Sequence, residues 1–522
     1  GSGTISGVSG DDVLVSGGNA TIFIASAITN NAGHSVNVTN MTGGSVTFPA
    51  AITETAGGTG IFLDNNDLSS TATITFRGGL SLTTTTSPAF TATNGGVVNV
   101  CATNDCAGGS AVVNTITTTT GTALNVANTT IGSSGLTFRS ISVTGNNTLP
   151  ANGIILDTTG SSGGLTVTGN GGSCTVATPT CTGGTIQGTN ARGASFIGAR
   201  NVNLTLMRFL NANNANGAVS NGTVGGNENT DENGAINLSA AVNVNLSNII
   251  ILGTTVQHGI NGNNVTNLDL TNISISNTGD AVWESGIYLF HLKGLASASQ
   301  DSVWDNVDIS DTAQFNVSII NASGTNAAGS EKDKLTIQNG CTFANSGKNV
   351  IGDHISIFNS VTANFQVVVN GATFDSKING EYAGAHTSDG IQVDVSGASA
   401  RFDATITGCT FTSTTGGGVG QSAINISSTT GAGTFDLENN VATARQGVGI
   451  NIAVTGTASL TGTIKGNTLA TNITNNPGQG INIVEEGNGS IIANVENNTI
   501  QGTGSGINTT TAFDYGIRGG AR

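Results

Sequence analysis

Acidic residues stand directly before a repeated Gly-Ile pair, and a histidine holds the same place one repeat earlier. Asp280 and Glu284 precede Gly286, and His258 precedes Gly259. Paired carboxyl groups can act as acid and base, or as acid and nucleophile, when a glycosidic bond is cleaved, and a histidine can transfer protons. Asp280, Glu284 and His258 are therefore the candidate catalytic residues.

Aromatic and further acidic residues gather in the same part of the chain. Aromatic faces can pack on sugar rings, so this region is a candidate carbohydrate-binding groove. The candidate ligand-binding residues are Trp283, Tyr288, His291, Trp304, Glu381, Tyr382 and Asp389. The alternative interpretation, which we favour, is a solvated edge whose acids provide solubility and cap turns.

The overall composition excludes several classes of protein. Of 522 residues only 9% are charged, against about 25% in typical globular proteins, so an ordinary helical enzyme is not expected. Acidic residues outnumber basic ones by 31 to 15, giving a net charge of −16. This balance argues against nucleic acid and anionic membranes as partners, because both require a basic surface. The longest apolar runs are far shorter than the ~20 residues of a spanning helix, so no membrane insertion is expected.

A short motif repeats along the chain: glycine, an aliphatic residue, often asparagine, then another aliphatic residue. Its clearest copies are Gly449-Ile450-Asn451-Ile452 and Gly480-Ile481-Asn482-Ile483. Copies are separated by 25 residues (234 to 259), 27 (259 to 286), 31 (449 to 480) and 26 (480 to 506). Each interval holds about three short runs of alternating polarity joined by Gly, Asn or Thr turns, which predicts three short strands per repeat. Such units suit the coils of a β-solenoid, roughly 16 to 18 in number, stacked at ~4.8 Å.

The Gly-Ile-x-Ile strands and Asn-x-Ile turns resemble the right-handed parallel β-helix of the pectin-lyase-like superfamily. Within it, they are most similar to β-strand-repeat segments of large bacterial surface proteins and of autotransporter passengers. The resemblance covers nearly the whole chain and implies an all-β, single-stranded, right-handed parallel β-helix, continuous from residue 1 to 522. The fold hosts lyases, hydrolases, adhesins and phage spikes alike, so it does not define the function.

Enzymes of this superfamily carry signatures that the central repeats lack. A polygalacturonase-like site would have adjacent catalytic aspartates and an Arg-x-Lys motif. A pectate-lyase-like site would have clustered calcium-binding aspartates beside a catalytic arginine, yet there is no arginine between Arg208 and Arg401. The resemblance therefore implies no known catalytic site of the family.

Three stretches break the repeat. They lie near residues 171–185, 211–233 and 321–335, and we expect each to be a loop that leaves the stack of coils. Loops of solenoids often carry binding functions, although most are tolerated insertions.

Six cysteines fall into two groups. Cys101 with Cys106, and Cys174 with Cys181, are close in sequence and predict two local disulfides, which would place the protein in an oxidising compartment. A zinc site is the alternative, but it needs four convergent ligands and the two pairs lie several coils apart.

The other two cysteines, Cys341 and Cys409, occupy the slot that Asn467 and Asn498 fill in later repeats. One coil, passing through Ala372, would separate them by about 10 Å, too far for a disulfide. We expect two buried, unpaired thiols.

Two further functions are considered and not favoured. Gly10-Asp11-Asp12 is similar to calcium-binding Gly/Asp repeats, but the nonapeptide does not recur, so a turn is favoured and no cofactor is expected. Threonine runs such as Thr83–Thr86 and Thr117–Thr120 are of the kind found on ice-binding faces. An ice-binding face needs a regular threonine array on every coil, whereas threonine is abundant but irregular in the sequence.

These observations favour an extracellular stalk or adhesin segment of a large bacterial surface or secreted protein. Its expected place is outside the cell, either attached to the outer membrane or secreted. Its expected partners are glycans or a host cell surface, and further repeats of the same polypeptide. The alternative is a polysaccharide lyase, a glycoside hydrolase or a non-catalytic carbohydrate-binding module that uses the edge around Asp280 and Glu284.

Overall fold

The structure is a computed structural model, and its strands form two compact units. It describes residues 3–145, 149–177, 181–216, 232–253, 256–281, 283–294, 301–322, 332–348, 352–375, 389–412, 422–445, 448–472, 480–503 and 517–521. The first unit comprises Gly1–Ala218 and Asp231–Thr255, and the second comprises Val219–Thr230 and Val256–Arg522. In the described residues every regular element is a β-strand. The chain is therefore all-β, as the repeat predicts, while the continuity of one β-helix from residue 1 to 522 stays a prediction.

The described part of the first unit contains 24 strands, most of them three to six residues long. In chain order they are β1 (Thr4–Ser6), β2 (Leu14–Ser16), β3 (Thr21–Phe23), β4 (Ala27–Asn30), β5 (Val36–Thr39), β6 (Ser45–Phe48), β7 (Ile52–Glu54), β8 (Ile61–Asp64), β9 (Thr73–Phe76), β10 (Leu80–Thr83), β11 (Phe90–Thr93), β12 (Val97–Val100), β13 (Asn114–Thr118), β14 (Leu124–Ala127), β15 (Thr130–Phe138), β16 (Ser140–Val143), β17 (Asn152–Asp157), β18 (Leu165–Val167), β19 (Gly184–Gln187), β20 (Arg192–Ile197), β21 (Arg200–Thr205), β22 (Met207–Leu210), β23 (Gly234–Ser239) and β24 (Val242–Leu252).

The second unit continues the same pattern with somewhat longer strands. They are β25 (His258–Thr278), β26 (Ile287–Lys293), β27 (Ser302–Thr312), β28 (Val317–Asn321), β29 (Asp333–Gln338), β30 (Thr342–Ala344), β31 (Ile355–Ser360), β32 (Asn364–Asn370), β33 (Thr373–Asp375), β34 (Ile391–Ser396), β35 (Arg401–Thr407), β36 (Thr410–Thr412), β37 (Ser422–Ser428), β38 (Ala432–Glu438), β39 (Val441–Arg445), β40 (Val448–Gly456), β41 (Ser459–Lys465), β42 (Thr468–Asn472), β43 (Ile481–Gly487), β44 (Ser490–Glu496), β45 (Thr499–Thr503) and β46 (Ile517–Ala521).

Strand pairing within each unit is parallel, and a strand typically pairs with the third strand before it and the third after it. For example, β5 pairs with β2 and β8, and β35 pairs with β32 and β38. In β24, β25 and β27 successive strands run together, so one long strand pairs with two others, as β27 does with β29 and β30. This spacing confirms a parallel β-helix with three strands per coil.

Equivalent side chains of successive coils stack inside each unit. In the first unit Phe48 stacks on Phe76 with ring centroids 5.0 Å apart and planes at 7°. In the second unit Phe374 lies between Phe343 and Phe411, at 5.3 Å and 4.7 Å, with interplanar angles of 17° and 8°. Parallel in-register pairing places each residue directly over its counterpart, so the core is built from columns of like residues.

Asparagine at the turns adopts a left-handed backbone conformation and forms hydrogen bonds between coils. Asn40, Asn65, Asn94 and Asn128 recur at one corner with φ of 58°, 57°, 55° and 49°, a left-handed conformation that asparagine tolerates better than most residues. The Nδ2 of Asn65 donates to the Oδ1 of Asn40 at 2.8 Å. The asparagine of the turn thus serves both the local backbone and the stacking of coils.

The asparagine of the Gly-Ile-Asn-Ile motif forms a second ladder. The Nδ2 of Asn451 donates to the Oδ1 of Asn425 at 2.9 Å, and the Nδ2 of Asn482 donates to the Oδ1 of Asn451 at 2.6 Å. These bonds run from coil to coil, so the repeated asparagine stabilises stacking rather than marking a binding site.

Glycine is required at the first position of the motif for a steric reason. A Cβ on Gly259 would lie 2.6 Å from the carbonyl oxygen of Gly286, and one on Gly286 would lie 2.7 Å from that of Asn316. Gly390 and Gly449 meet the next coil at 2.5 Å and 2.4 Å in the same way. The backbone of the following coil occupies the space of a side chain there.

The two predicted disulfides are present. Cys101 is bonded to Cys106 and Cys174 to Cys181. Cys174 packs with Leu206 and Ile250 in a small apolar cluster beside the coils. Two disulfides are typical of a protein in an oxidising environment.

Loss of the disulfide between Cys174 and Cys181 should be tolerated at a moderate cost. Replacing both residues with alanine is expected to lower the free energy of unfolding by about 2 kcal/mol, because the closed loop is short. The denaturant midpoints of the variant and the parent chain measure this change. The same double change at Cys101 and Cys106 opens a still shorter loop and should cost less, so a larger loss there would contradict the argument.

Cys341 and Cys409 are buried and outside any disulfide. Strand register places Ala372 in the coil between them, since Thr342 pairs with Thr373 and Thr373 with Thr410. In the following coils asparagine occupies the position equivalent to Cys409. The first of these is Asn440, whose Oδ1 accepts the N–H of Cys409 at 3.0 Å. Burial raises the pKa of Cys409 to about 11, which keeps the thiol protonated and unreactive.

Strands extend into the edges of two of the predicted loop ranges. Asp333 to Leu335, which the sequence places in the loop near 321–335, belong to β29, and Asn321 ends β28. Leu335 and Ile337 point inward in alternation, so this segment pairs within the coil despite its charged neighbours. Gly184 and Thr185 likewise begin β19. Residues 178–180, 217–231 and 323–331 lie outside the described residues, and the three loops themselves stay predictions.

Candidate functional site

Glu284 is the centre of the predicted catalytic edge, and its carboxylate holds a turn. Its Oε2 accepts the backbone N–H groups of Asp280 and Ala281, both at 2.5 Å. The side chain is only 3% exposed. Burial raises the pKa of Glu284, while the two backbone hydrogen bonds and the nearby His258 oppose that rise. The carboxylate therefore acts as a buried cap for the Asp280–Ala281 turn.

His258 lies beside Glu284, as the spacing of one coil predicts. Its Nδ1 accepts the backbone N–H of Ser285 at 3.1 Å, and its ring stacks on Tyr288 with centroids 5.0 Å apart and planes at 15°. Because His258 is 2% exposed and Tyr288 4%, neither ring offers a face to a ligand in this structure. The structure thus brings together three predicted site residues, and it does so inside the coil stack.

Asp389 lies in the same column as His258, four coils later, and also supports the backbone. It accepts the N–H of Ser422 at 2.5 Å and the Nδ2 of Asn425 at 2.9 Å. Its own N–H donates to the Oδ1 of Asp353 at 2.9 Å. Acids before the Gly-Ile strand therefore link one coil to the next.

The remaining aromatic candidates differ in exposure. Trp304 is fully buried and its Nε1 donates to the carbonyl oxygen of Leu268 at 3.2 Å, so it is a core residue and its ring is not available to a ligand. Trp283, by contrast, is 36% exposed and lies 6.3 Å from the ring of Phe315. Glu381 and Tyr382 lie outside the described residues.

His291 is half-buried at a strained position. It has φ of 59°, and its Nδ1 lies 3.2 Å from the Oδ1 of Asn264. Burial, followed by the charge of Lys293, lowers the pKa of His291 to about 4. The imidazole is therefore neutral at physiological pH, and its Nε2 is buried, so neither ring nitrogen is presented to a ligand.

The acidic segment at the beginning of the chain forms a network of its own. Asp11 pairs with the Nδ1 of His34 at 2.8 Å and accepts the Nδ2 of Asn37 at 2.7 Å. Both carboxylate oxygens of Asp12 are buried without a hydrogen-bond partner among the described residues, and burial together with Glu54 raises its pKa. No group of three or more His, Cys, Asp or Glu among the described residues is arranged to hold a metal ion. The preference for a turn over a calcium site stays a prediction.

A groove that the sequence does not reveal opens on the second unit, where β32, β35, β38 and β41 begin. It encloses about 350 Å³ and includes Lys332, Arg401 and Asp403 in its lining. Lys332 forms an ion pair with Asp403, and Arg401 donates to the carbonyl oxygens of Ala398 and Ala400 at 3.0 and 2.8 Å. The depression arises because Gly433 takes an inward position over Phe402, whose ring would meet a Cβ there at 2.1 Å. Only the strand register shows that these residues share one place in successive coils.

Comparison with known proteins assigns the chain to no family. No known family model matches the chain, and a search of curated proteins finds no match. Among the described residues, no helix is long and apolar enough to cross a membrane.

Asp394 provides a test of how buried acids affect stability. Burial raises its pKa above the usual 3.8, against hydrogen bonds from Ser427 and Gln392. Because the folded protein favours the protonated carboxyl group, Asp394 contributes its full stability below pH 3.8. That contribution is lost as the pH rises through the raised pKa of the folded state. Asp394→Asn should therefore melt at a higher temperature than the parent at neutral pH, and the difference should vanish below pH 3.8. A difference that persists or grows in acid would contradict this.

The exposed Asp105 should affect the pH dependence of stability in the opposite direction, because its pKa is lowered. Backbone N–H groups of Ala107, Gly108 and Gly109 and the hydroxyl of Thr103 lower its pKa to about 2. Its stabilising effect is present above the usual 3.8 and lost as pH falls through about 2. Asp105→Asn should consequently lower the melting temperature slightly at neutral pH and not in strong acid.

Proposed function

We propose that the chain is a structural stalk or adhesin segment of a large surface or secreted protein, most similar to bacterial autotransporter-type passengers. Its task is to extend a stable scaffold outside the cell and to carry attachment sites on it. The two disulfides support an oxidising, extracellular environment. Further repeats of the same polypeptide, and glycans or a host surface, are the partners that this role requires.

One observation carries the proposal: the residues best suited for catalysis use their polar atoms to hold the backbone. Glu284 caps the turn at Asp280, His258 accepts from Ser285, and Asp389 links Asn425 to its own coil. A general acid or base must reach the substrate within hydrogen-bond distance. These side chains instead stabilise ladders in which local opening of one coil breaks bonds to both neighbours.

A polysaccharide panel tests the proposal. The purified chain is incubated with plant, bacterial and host polysaccharides, and the release of new reducing ends and of unsaturated sugars is measured. We expect no release above that of heat-unfolded chain. Release that disappears in Asp280→Ala, whose side chain is exposed and can be changed without disturbing the core, would overturn the proposal in favour of a lyase or hydrolase.

A non-catalytic carbohydrate-binding role is the second candidate, and a specific observation favours it. Trp283 presents an exposed indole next to Asp280, and such a ring can pack on a sugar face. A glycan array separates this role from a plain stalk. Retention of a defined glycan that is lost in Trp283→Ala and kept in Trp304→Phe, a core control, would establish it.

A further inference from the structure

One outward face of the first unit carries hydroxyl side chains in two parallel columns. The strands concerned are β1, β4, β7, β10, β13 and β16, which pair successively in register. The first column consists of Ser6, Thr29, Thr53, Ser81, Thr115 and Ser140. The second lies two residues further along the later strands and consists of Thr83, Thr117 and Ser142. Every position in both columns is serine or threonine, although threonine looks irregular along the sequence.

The side chains of this array point outward and are exposed or half-buried, and most of their hydroxyl groups have no hydrogen-bond partner in the protein. Its side chains alternate with buried aliphatic residues, as in Leu80, Leu82 and Ile116. Among the described residues only the Oγ of Ser142 has a protein partner, the N–H of Thr185 at 3.2 Å. The other hydroxyls therefore have their hydrogen-bonding capacity available to water.

The outward-facing residues of these six strands carry no charge and no aromatic ring, and a charge enters the ladder only further on, where Arg208 pairs with Thr185. The six strands contain one ionisable residue, Glu54, and that side chain points inward and is buried. The corresponding ladder of the second unit carries a shorter column of Thr342, Thr373 and Thr410, which Asp308 precedes and Val441 follows. The longer uninterrupted array therefore lies on the first unit.

The geometry of the array sets a two-dimensional repeat. Hydroxyls of neighbouring coils lie ~4.8 Å apart, and those two residues apart on one strand lie ~6.6 Å apart. The spacing between coils is close to the shorter oxygen repeat of hexagonal ice, and the spacing along a strand is somewhat shorter than the longer repeat. A rigid backbone that holds hydroxyls and threonine methyls in such a lattice can order water into an ice-like layer without loss of side-chain entropy at binding.

We propose that this hydroxyl face binds crystalline ice. Its occupant is a water lattice rather than a soluble ligand, because the described array is uncharged and uniform. A polysaccharide surface is the rival occupant, and sugar recognition would use aromatic platforms and charged hydrogen-bonding groups, which these strands lack. The proposal is independent of the stalk function, since a scaffold outside the cell can carry this face whether or not it binds glycans.

Adsorption to ice tests the proposal. A fluorescently labelled chain is offered to polycrystalline ice, and the rate of recrystallisation is followed in a frozen sucrose solution. We expect the chain to coat the ice and to slow recrystallisation, and the double variant Thr115→Lys/Thr117→Lys to lose both effects, because two ammonium groups disrupt the ordered water. The matched control, Thr73→Lys/Thr75→Lys, makes the same change two residues apart on β9, which belongs to another ladder, and should retain both effects.

Several results would overturn the assignment. One is a parent chain that affects ice no more than an inert globular protein at the same concentration. Another is a Thr115→Lys/Thr117→Lys variant that acts like the parent while melting at the same temperature. Retention on crystalline cellulose or chitin, without any effect on ice, would assign the face to a polysaccharide surface instead. Polysaccharide cleavage by the chain would refute the stalk function and leave the ice experiment unaffected.

Discussion

Phe374→Ala is expected to lower the free energy of unfolding of the second unit by about 3–5 kcal/mol. Phe374 is fully buried between Phe343 and Phe411, so its removal deletes apolar contacts and two stacking interactions and leaves a cavity. The cavity cannot close readily, because hydrogen-bonded ladders hold the neighbouring coils at a fixed spacing. Nearly the full cost of a large-to-small substitution should therefore be observed.

Tryptophan fluorescence during denaturant unfolding measures this effect. Both tryptophans of the chain, Trp283 and Trp304, lie in the second unit, so the signal reports on the unit that carries the change. Thr373→Ala is the matched control, because its side chain points outward from the same strand, and it should change stability by less than about 0.5 kcal/mol. Equal midpoints for Phe374→Ala and Thr373→Ala would show that the phenylalanine column does not stabilise the unit.

Gly286→Val should destabilise the same unit by about 3 kcal/mol. A Cβ at this position would lie 2.5 Å from the Cγ2 of Ile309 and 2.7 Å from the carbonyl oxygen of Asn316. That oxygen cannot move away freely, because it accepts the N–H of Ile287 at 2.9 Å. Either the ladder bond or the packing of Ile309 must be given up.

The control for Gly286 is another glycine of the same unit. A Cβ on Gly294 would lie 3.5 Å from the nearest atom outside its chain neighbours, an ordinary contact, so Gly294→Ala should leave the fluorescence midpoint almost unchanged. Far-ultraviolet circular dichroism checks that each variant retains its β-structure. Comparable losses of unfolding free energy in Gly286→Val and Gly294→Ala would contradict this explanation. They would indicate that the close approach of the next coil is not the reason for glycine in the motif.

The architecture could be predicted because it depends on sequence patterns that are local and repeated. Alternating polarity defines strands, and copies of Gly-Ile-Asn-Ile at 25 to 31 residues define the coil. The burial of Cys341 and Cys409 is predictable because a shared slot with asparagine is visible in the sequence. Short disulfide loops such as Cys101 to Cys106 are equally local.

The candidate site illustrates the limit of such signals. The sequence brings His258 and Glu284 to neighbouring coils, but it does not show that Tyr288 covers the histidine or that backbone N–H groups occupy the carboxylate. The sequence also suggests Trp304 as a ligand-binding residue, although alternation along β27 turns its ring inward. An aromatic residue in a short alternating strand can face either side until the register is known.

Length, composition and periodicity by themselves determined that this chain is all-β, builds three-strand coils and pairs four of its cysteines. Only the tertiary structure decided which side chains meet, because register alone brings residues 23 to 43 positions apart into one column. That is why serines and threonines which look scattered in the sequence form an ordered array on β1, β4, β7, β10, β13 and β16. It is also why acids that look catalytic are found holding the turns of the coils.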